Sequence, residues 1–261
     1  MTFQLPFCRK IFFLAVIFLP LAGCPKPQSP QPKPLTLVQE KAEHLAIKQL
    51  KLDNTEIGDN DLKKIVAENP NLIELTLTGT KITDDGMAYL TQLPKLKKVR
   101  ISKTAITNAA AESLVKITTL EDIDLSQTEF GDDGLAALKL LPNLKRLNLY
   151  TTKISDSGLD ALKDWASAKS VVWLNIDKCP LTDAAIPKLL PLENLEWLHL
   201  GRTELTDTGL DDLAKLKTLK EVSITNTKVS KEGVKKLQTA LPDCKINENA
   251  GENGGEKNAA P

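Results

Sequence analysis

The stretch "LKRLNLYTTKISDSG", from Leu144 to Gly158, decides the fold because its hydrophobic pattern recurs along most of the chain. Leucines stand at its first, fourth and sixth positions, a threonine at its ninth and an isoleucine at its eleventh. Written L-x-x-L-x-L-x-x-T-x-I, the pattern returns at intervals of 24 to 27 residues. Its eight copies begin at Ile47, Leu72, Leu96, Leu120, Leu144, Val171, Leu195 and Leu219.

Within each copy the hydrophobic period changes from that of a strand to that of a helix. In the second copy, Leu75 and Leu77 alternate with polar residues, as in a strand with one buried face. Further on, Met87 and Leu90 have helical spacing, and Thr83 precedes them as an N-cap. A unit of about 24 residues cannot cover its own apolar face, so the copies must stack and share one core.

These copies resemble leucine-rich repeats over Ile47 to about Ile246. Their continuation, "LTDTGL" at Leu205–Leu210, resembles the cysteine-containing, ribonuclease-inhibitor-like branch of that family. The resemblance implies an α/β fold with about eight repeats, a curved horseshoe solenoid. A parallel β-sheet would form its concave face and short helices its convex face. A fold of this kind does not by itself supply a ligand.

The ninth position predicts a buried hydrogen-bonding role. Threonine stands there in every copy except the sixth, which has Cys179. A small hydroxyl or thiol at this turn can pair with backbone groups that no strand partner reaches. Cys244 belongs to the terminal cap, three strands further along, or roughly 14 Å away by strand spacing. We therefore expect both cysteines to be free thiols, and Cys179 to have a structural role.

The N-terminus reads as an export signal. Arg9 and Lys10 precede an apolar run from Ile11 to Ala22, which is shorter than the roughly 20 residues needed to span a bilayer. The following "LAGC" resembles the bacterial lipobox, which implies cleavage before Cys24 and lipidation of its sulfur. The expected location is therefore the cell membrane or outer membrane, with Cys24 as the anchor. The alternative is an ordinary signal peptide that ends in cysteine.

The predicted organisation has four parts. Residues 1–23 form the lipoprotein signal peptide and residues 24–35 a Pro-rich tether. Residues 36–246 form the leucine-rich repeat domain, with an N-terminal cap helix that starts at Thr36 and a C-terminal cap. Residues 247–261, rich in Gly, Asn and Glu, are expected to form a disordered tail.

Composition and spacing argue against several classes of function. Without the signal peptide the chain has 32 basic and 34 acidic residues. A net charge this close to zero argues against a strongly basic surface that binds nucleic acid. The loop that begins at Asp53 lacks the oxygen ligands of a calcium site, and no metal or cofactor is expected. Asn175, His199 and Ser223 fall side by side, but their parallel projection keeps the serine hydroxyl from the imidazole nitrogen. We therefore expect no enzyme.

The third position of the repeats predicts a binding site. Its charges alternate in sign from Glu74 to Arg146, so neighbouring repeats can neutralise one another. The next two copies instead place Trp173 and Trp197 on adjacent strands. Two interpretations remain: the indoles stack on each other or pack under a loop, or they form an exposed hot spot. The candidate binding residues are Tyr150, Trp173, Trp197, His199 and Arg202.

The sequence therefore favours a lipid-anchored, non-enzymatic module that binds a protein partner at the cell envelope. Aromatic platforms also bind sugars, so recognition of an envelope glycan is the first alternative. A passive structural lipoprotein without a specific ligand is the second.

Overall fold

The computed structural model describes residues 47–248, in which nine short strands form one parallel sheet in chain order. Each strand pairs with the strand of the next repeat, so the sheet is open at both ends. Strands β1 to β9 span Gln49–Lys51, Glu74–Thr76, Lys98–Arg100, Asp122–Asp124, Arg146–Asn148, Trp173–Asn175, Trp197–His199, Glu221–Ser223 and Lys245–Asn247.

The strand register follows the sequence repeat. Each of the first eight strands covers the third to fifth positions of one copy, and equivalent positions pair throughout. A ninth strand, beyond the eight copies, pairs Lys245 with Glu221. The C-terminal cap therefore adds one more strand, whose last residue, Asn247, lies one position past the predicted domain end.

The connections on the other side of the sheet are short and partly 3-10 in geometry. The expected helix of the sixth repeat is wholly 3-10 and contains Pro187, which has no backbone N–H to donate. Within residues 47–248 the α-helices span Asp59–Glu68, Asp84–Leu90, Ala111–Leu114, Asp132–Ala137, Leu210–Leu213 and Lys231–Ala240. The 3-10 helices span Asn108–Ala110, Leu138–Leu140, Gly158–Asp164, Asp183–Leu189 and Asp207–Gly209.

The core consists of the repeated apolar positions. In the fifth repeat, Leu144, Leu147, Leu149 and Ile154 are all buried, and the equivalent residues of neighbouring repeats pack against them. Burial of one such side chain contributes about 1.5–3 kcal/mol, so the stacked repeats supply the free energy that a single repeat cannot.

The predicted role of the ninth position is confirmed. The seven threonine hydroxyls each donate to the carbonyl of the sixth-position residue in their own repeat, as Thr152 does to Leu149 at 2.7 Å. Cys179 differs, because its thiol donates to the Leu149 carbonyl of the preceding repeat at 3.1 Å. It also lies 3.4 Å from the Thr152 hydroxyl. The Cys179 sulfur therefore fills the ninth position but bonds to the carbonyl of a different repeat.

Carboxylates at the start of the helical segments join neighbouring repeats. Asp132 accepts hydrogen bonds from both the backbone N–H and the hydroxyl of Ser155, at 2.8 and 2.6 Å. Gly158 allows this approach, because a Cβ there would overlap the Asp132 carboxylate. An acid at the start of a helical segment also complements the helix dipole, so these carboxylates have two stabilising roles. The equivalent pairs are Asp59–Thr83, Asp84–Thr107, Asp156–Thr182, Asp183–Thr206 and Asp207–Ser230.

The eighth position of every repeat is left-handed. Gly79 at φ 67° suits this conformation, whereas Thr151 at φ 54° is β-branched and strained. The residue types vary at this position, so the sequence pattern did not reveal it. The other members are Asn54, Lys103, Gln127, Lys178, Arg202 and Asn226.

Several predictions concern segments outside residues 47–248. They are the signal peptide, the lipidation of Cys24, the Pro-rich tether, the cap helix from Thr36 and nearly all of the tail. These remain predictions.

Candidate functional site

The exposed face of the sheet carries a charge ladder formed by Glu74, Lys98, Asp122 and Arg146. The Lys98 ammonium lies 3.3 Å from the Glu74 carboxylate and 3.8 Å from that of Asp122. Asp122 is also 3.6 Å from Nε of Arg146. Each charge thus has an opposite neighbour on the adjacent strand, as the alternation in sequence predicts. Burial raises the pKa of Asp122, although Lys98 and Arg146 oppose that shift.

The aromatic cluster, formed by Tyr150, Trp173, Trp197, His199 and Arg202, begins where the ladder ends. Trp173 and Trp197 are direct partners across β6 and β7, and both indoles are half-buried. The guanidinium carbon of Arg146 lies 4.8 Å from the centre of the Trp173 ring. The Lys220 ammonium lies 5.3 Å from the centre of the Trp197 ring. A cation therefore covers part of each indole.

His199 supplies the aromatic contact of Trp173. Their ring centres are 5.5 Å apart with the planes tilted by 51°, and this is the aromatic pair found within residues 47–248. Stacking of the two indoles on each other was one interpretation of the sequence, and the structure shows a tilted indole–imidazole contact instead. Burial lowers the pKa of His199, an effect that Asp177 and Glu221 oppose and Arg146 reinforces.

Tyr150 and Arg202 meet through a carboxylate that the sequence analysis did not single out. Asp177 is only 7% exposed and accepts two hydrogen bonds from Arg202, from Nε at 3.0 Å and from Nη2 at 2.9 Å. The same guanidinium lies 5.2 Å from the centre of the Tyr150 ring. Asp177 therefore fixes Arg202 over Tyr150. The available signal was an acid at the seventh position one repeat before an arginine at the eighth.

Two asparagine amides complete the surface between these groups. Asn148 and Asn175 pair in register on β5 and β6. The side-chain oxygen of Asn148 accepts from the Tyr150 N–H at 3.1 Å, and that of Asn175 from the Asp177 N–H at 3.0 Å. Each oxygen thus uses one of its two lone pairs on the backbone, and each NH₂ group has two hydrogens to donate.

The row considered for nucleophilic catalysis does form, without the contacts such chemistry requires. Asn175, His199 and Ser223 are neighbours across β6, β7 and β8. The Ser223 hydroxyl lies 3.5 Å from that of Thr225, and the imidazole packs on Trp173. In the described part of the chain, no hydrogen bond joins Ser223 to His199, and no group of His, Cys, Asp or Glu could hold a metal ion.

Both cysteines of residues 47–248 are buried free thiols. Cys179 and Cys244 lie in the sixth repeat and the terminal cap, and burial raises the pKa of each. A raised thiol pKa reduces the thiolate fraction and hence the reactivity.

Sequence comparison agrees with this geometry. A family model described as "Leucine Rich repeat" matches residues 68–90 and 116–139. The chain thus has a leucine-rich repeat fold. No curated protein sequence matches the chain.

Solved structures resemble the leucine-rich repeat protein in fold. An internalin C2 from Listeria monocytogenes aligns with a TM-score of 0.63 at 21% identity, covering 80% of this chain and 84% of its own. A second internalin, inlF from the same organism, aligns with a TM-score of 0.63 at 20% identity. That alignment covers 83% of this chain and 58% of the internalin, so this chain spans little more than half of it. Identities this low establish a shared fold only.

None of the helices between residues 47 and 248 combines the length and apolar character needed to cross a bilayer.

Proposed function

We propose that this leucine-rich repeat protein is a non-enzymatic module that binds a protein partner through its aromatic cluster. The observation that carries the proposal is the concentration of Tyr150, Trp173, Trp197, His199 and Arg202 on neighbouring repeats of one sheet face. Aromatic residues and arginine are the side chains most enriched in binding hot spots.

The contacts within the cluster support this role by holding the side chains in place. Trp173 is positioned by Arg146 and His199, and Arg202 by Asp177. A side chain that is ordered before binding loses less conformational entropy when a partner arrives. The charge ladder offers no comparable gain, because a partner would have to replace ion pairs that already exist.

The same contacts favour a protein over a glycan. Sugar rings bind to tryptophan mainly by stacking on the indole face, and cations already lie over the rings of Trp173 and Trp197. A sugar would have to displace a cation or approach the opposite face. A polypeptide can instead contact the indole edges and the surrounding polar groups.

Affinity capture from detergent-solubilised envelope, with the full chain as bait, tests the proposal. Trp173→Ala and Trp197→Ala should each weaken partner binding by about 2 kcal/mol or more. Lys98→Ala with Asp122→Ala is the matched control in the charge ladder, and each change there should matter by less than about 1 kcal/mol. Full partner recovery by the folded double tryptophan variant would support a passive structural role instead.

We further propose that the module is held at the cell envelope by lipidation of Cys24, on the strength of the lipobox-like "LAGC" sequence. The Pro-rich residues 24–35 would then act as a spacer between the membrane and the repeats. Metabolic labelling with palmitate should mark the wild type and not Cys24→Ala. Equal labelling of both would contradict the anchor while leaving the binding proposal intact.

A further inference from the structure

The hydrogen-bond acceptors around the aromatic cluster are already used within the chain. Asp177 is paired with Arg202, and the Glu196 carboxylate lies 2.9 Å from the Lys220 ammonium. Glu221 accepts from Asn247 at 2.6 Å and faces Lys245 at 3.4 Å. These three carboxylates therefore have cationic or amide partners, while Asp124, the strand neighbour of Asn148, accepts the Ser126 N–H at 2.9 Å.

Several donors of this surface remain available. The amide oxygens of Asn148 and Asn175 each accept from a backbone N–H, and within residues 47–248 no hydrogen bond uses their NH₂ groups. Arg202 uses Nε and Nη2 on Asp177, and its side chain is still 43% exposed. Lysine, arginine and the asparagine NH₂ have hydrogens to donate and no lone pair to accept them.

Beside Asp177 this surface carries a positive charge without an ion pair. Lys178 stands at the left-handed eighth position directly after Asp177 and is exposed. None of the ion pairs found within residues 47–248 involves it. The cations Arg146, Arg202 and Lys220 each have a carboxylate nearby, so Lys178 is the cation of this group that can pair with a partner's carboxylate without breaking an existing ion pair.

We propose that the aromatic cluster recognises an acidic polypeptide segment, whose carboxylates pair with Lys178, Arg202 and the two asparagine amides. This inference rests on the proposed function and names the chemistry of the partner. A partner that covered these donors without supplying acceptors would leave buried unpaired groups, each of which weakens binding. Carboxylates supply both the acceptor atoms and the opposite charge, and they pair well with a guanidinium.

Selection from a displayed library of random dodecapeptides, with the full chain in detergent as target, tests the inference. We expect the recovered peptides to be enriched in Asp and Glu relative to the unselected library. The affinity of a recovered peptide should fall as salt is raised, because exposed charges are screened. Lys178→Glu should weaken that affinity by about tenfold through charge reversal.

Lys103→Glu is the matched control. Lys103 occupies the same left-handed eighth position, is also exposed, and lies in the third repeat, away from the cluster. It should leave peptide affinity unchanged, which separates local recognition from a change in net charge.

The possible results separate the acidic partner from the more general proposal that the aromatic cluster binds a protein. Peptides that depend on Trp173 and Trp197 but show no acidic enrichment overturn the acidic partner and keep the binding site. Equal loss in Lys178→Glu and Lys103→Glu also overturns it. If no recovered peptide depends on the two tryptophans, both proposals fail. Tighter binding of an anionic polysaccharide, such as alginate, than of any recovered peptide would replace the polypeptide with a glycan.

Discussion

The charge ladder and the aromatic cluster occupy equivalent positions of neighbouring repeats and have different relations to solvent. In the ladder, Lys98 and Asp122 meet opposite charges on adjacent strands, so the surface is neutralised by the fold itself. In the cluster, Trp173 and Trp197 occupy the same third position and are only partly covered by Arg146 and Lys220. A change of third-position residues thus replaces a row of paired charges with half-covered indoles on one sheet face, while the core beneath stays the same.

The backbone also differs between the two regions in what it must accommodate. Every eighth position is left-handed, and the ladder section fills it with Gly79, Lys103 and Gln127. The cluster section fills it with Thr151, Lys178 and Arg202, and the Thr151 hydroxyl is buried without a hydrogen-bond partner in the described structure. A β-branched residue is poorly suited to this conformation. The cluster therefore stands on a more strained part of the frame.

The largest stability difference between the regions should come from their two acids. Asp177→Asn removes one of two charge-assisted bonds to Arg202 and should lower the free energy of unfolding by about 2 kcal/mol. Asp122→Asn should change it by less than about 0.5 kcal/mol, because burial already disfavours the ionised acid. Urea unfolding of both variants measures this. Equal effects would mean that the cluster is no more dependent on its acid than the ladder.

A gain in stability is expected at the strained eighth position. Thr151→Asn should raise the free energy of unfolding by about 1 kcal/mol, because asparagine tolerates the left-handed region better than threonine. Asn54 and Asn226 already have this conformation at the eighth position of other repeats. Gln127→Asn, the control in the ladder section, should gain less since Gln is not β-branched. Thermal unfolding compares the two. A loss in Thr151→Asn would show that the threonine makes a compensating contribution.

Acidification should affect the cluster through His199. Because burial lowers its pKa below the ordinary 6.5, the neutral imidazole is favoured in the folded state. Neutral His199 therefore contributes to the free energy of unfolding at pH values above the pKa it has in the unfolded chain. That contribution is lost as the pH falls through the lower pKa it has in the folded protein. His199→Gln should therefore lose less stability than the wild type between about pH 7.5 and about pH 5. NMR titration of the imidazole checks the direction, and a raised pKa would contradict it.

The smallest effect is expected beneath the cluster, at the ninth position that both regions share. Cys179→Thr should change the free energy of unfolding by less than about 0.5 kcal/mol, because a threonine there can donate to the Ile176 carbonyl as its counterparts do in their repeats. Thr128→Ala, the counterpart in the ladder section, should cost about 1 kcal/mol through loss of its bond to Leu125. Chemical denaturation distinguishes these values. Marked destabilisation by Cys179→Thr would show that the sulfur's bond to Leu149 is essential.

The sequence alone predicted the frame of the protein. The spacing of Leu144, Leu147 and Leu149 assigned the strands and their register, because each residue of a strand faces the side opposite its neighbours. The threonine at the ninth position predicted its own hydrogen bond, since its size and hydroxyl suit one buried turn. The row of Trp173 and Trp197 followed from the same register.

Only the tertiary structure decided how that row is used. Three features show this. Asp177 bonds to Arg202 of the next repeat, His199 packs against Trp173 of the preceding repeat, and Thr151 adopts a left-handed conformation. They depend on side-chain reach and backbone dihedral angles, neither of which is encoded in a hydrophobic period. A repeating pattern fixes which residues are neighbours, whereas the rotamers and the competition among nearby donors and acceptors determine which of those neighbours bind one another.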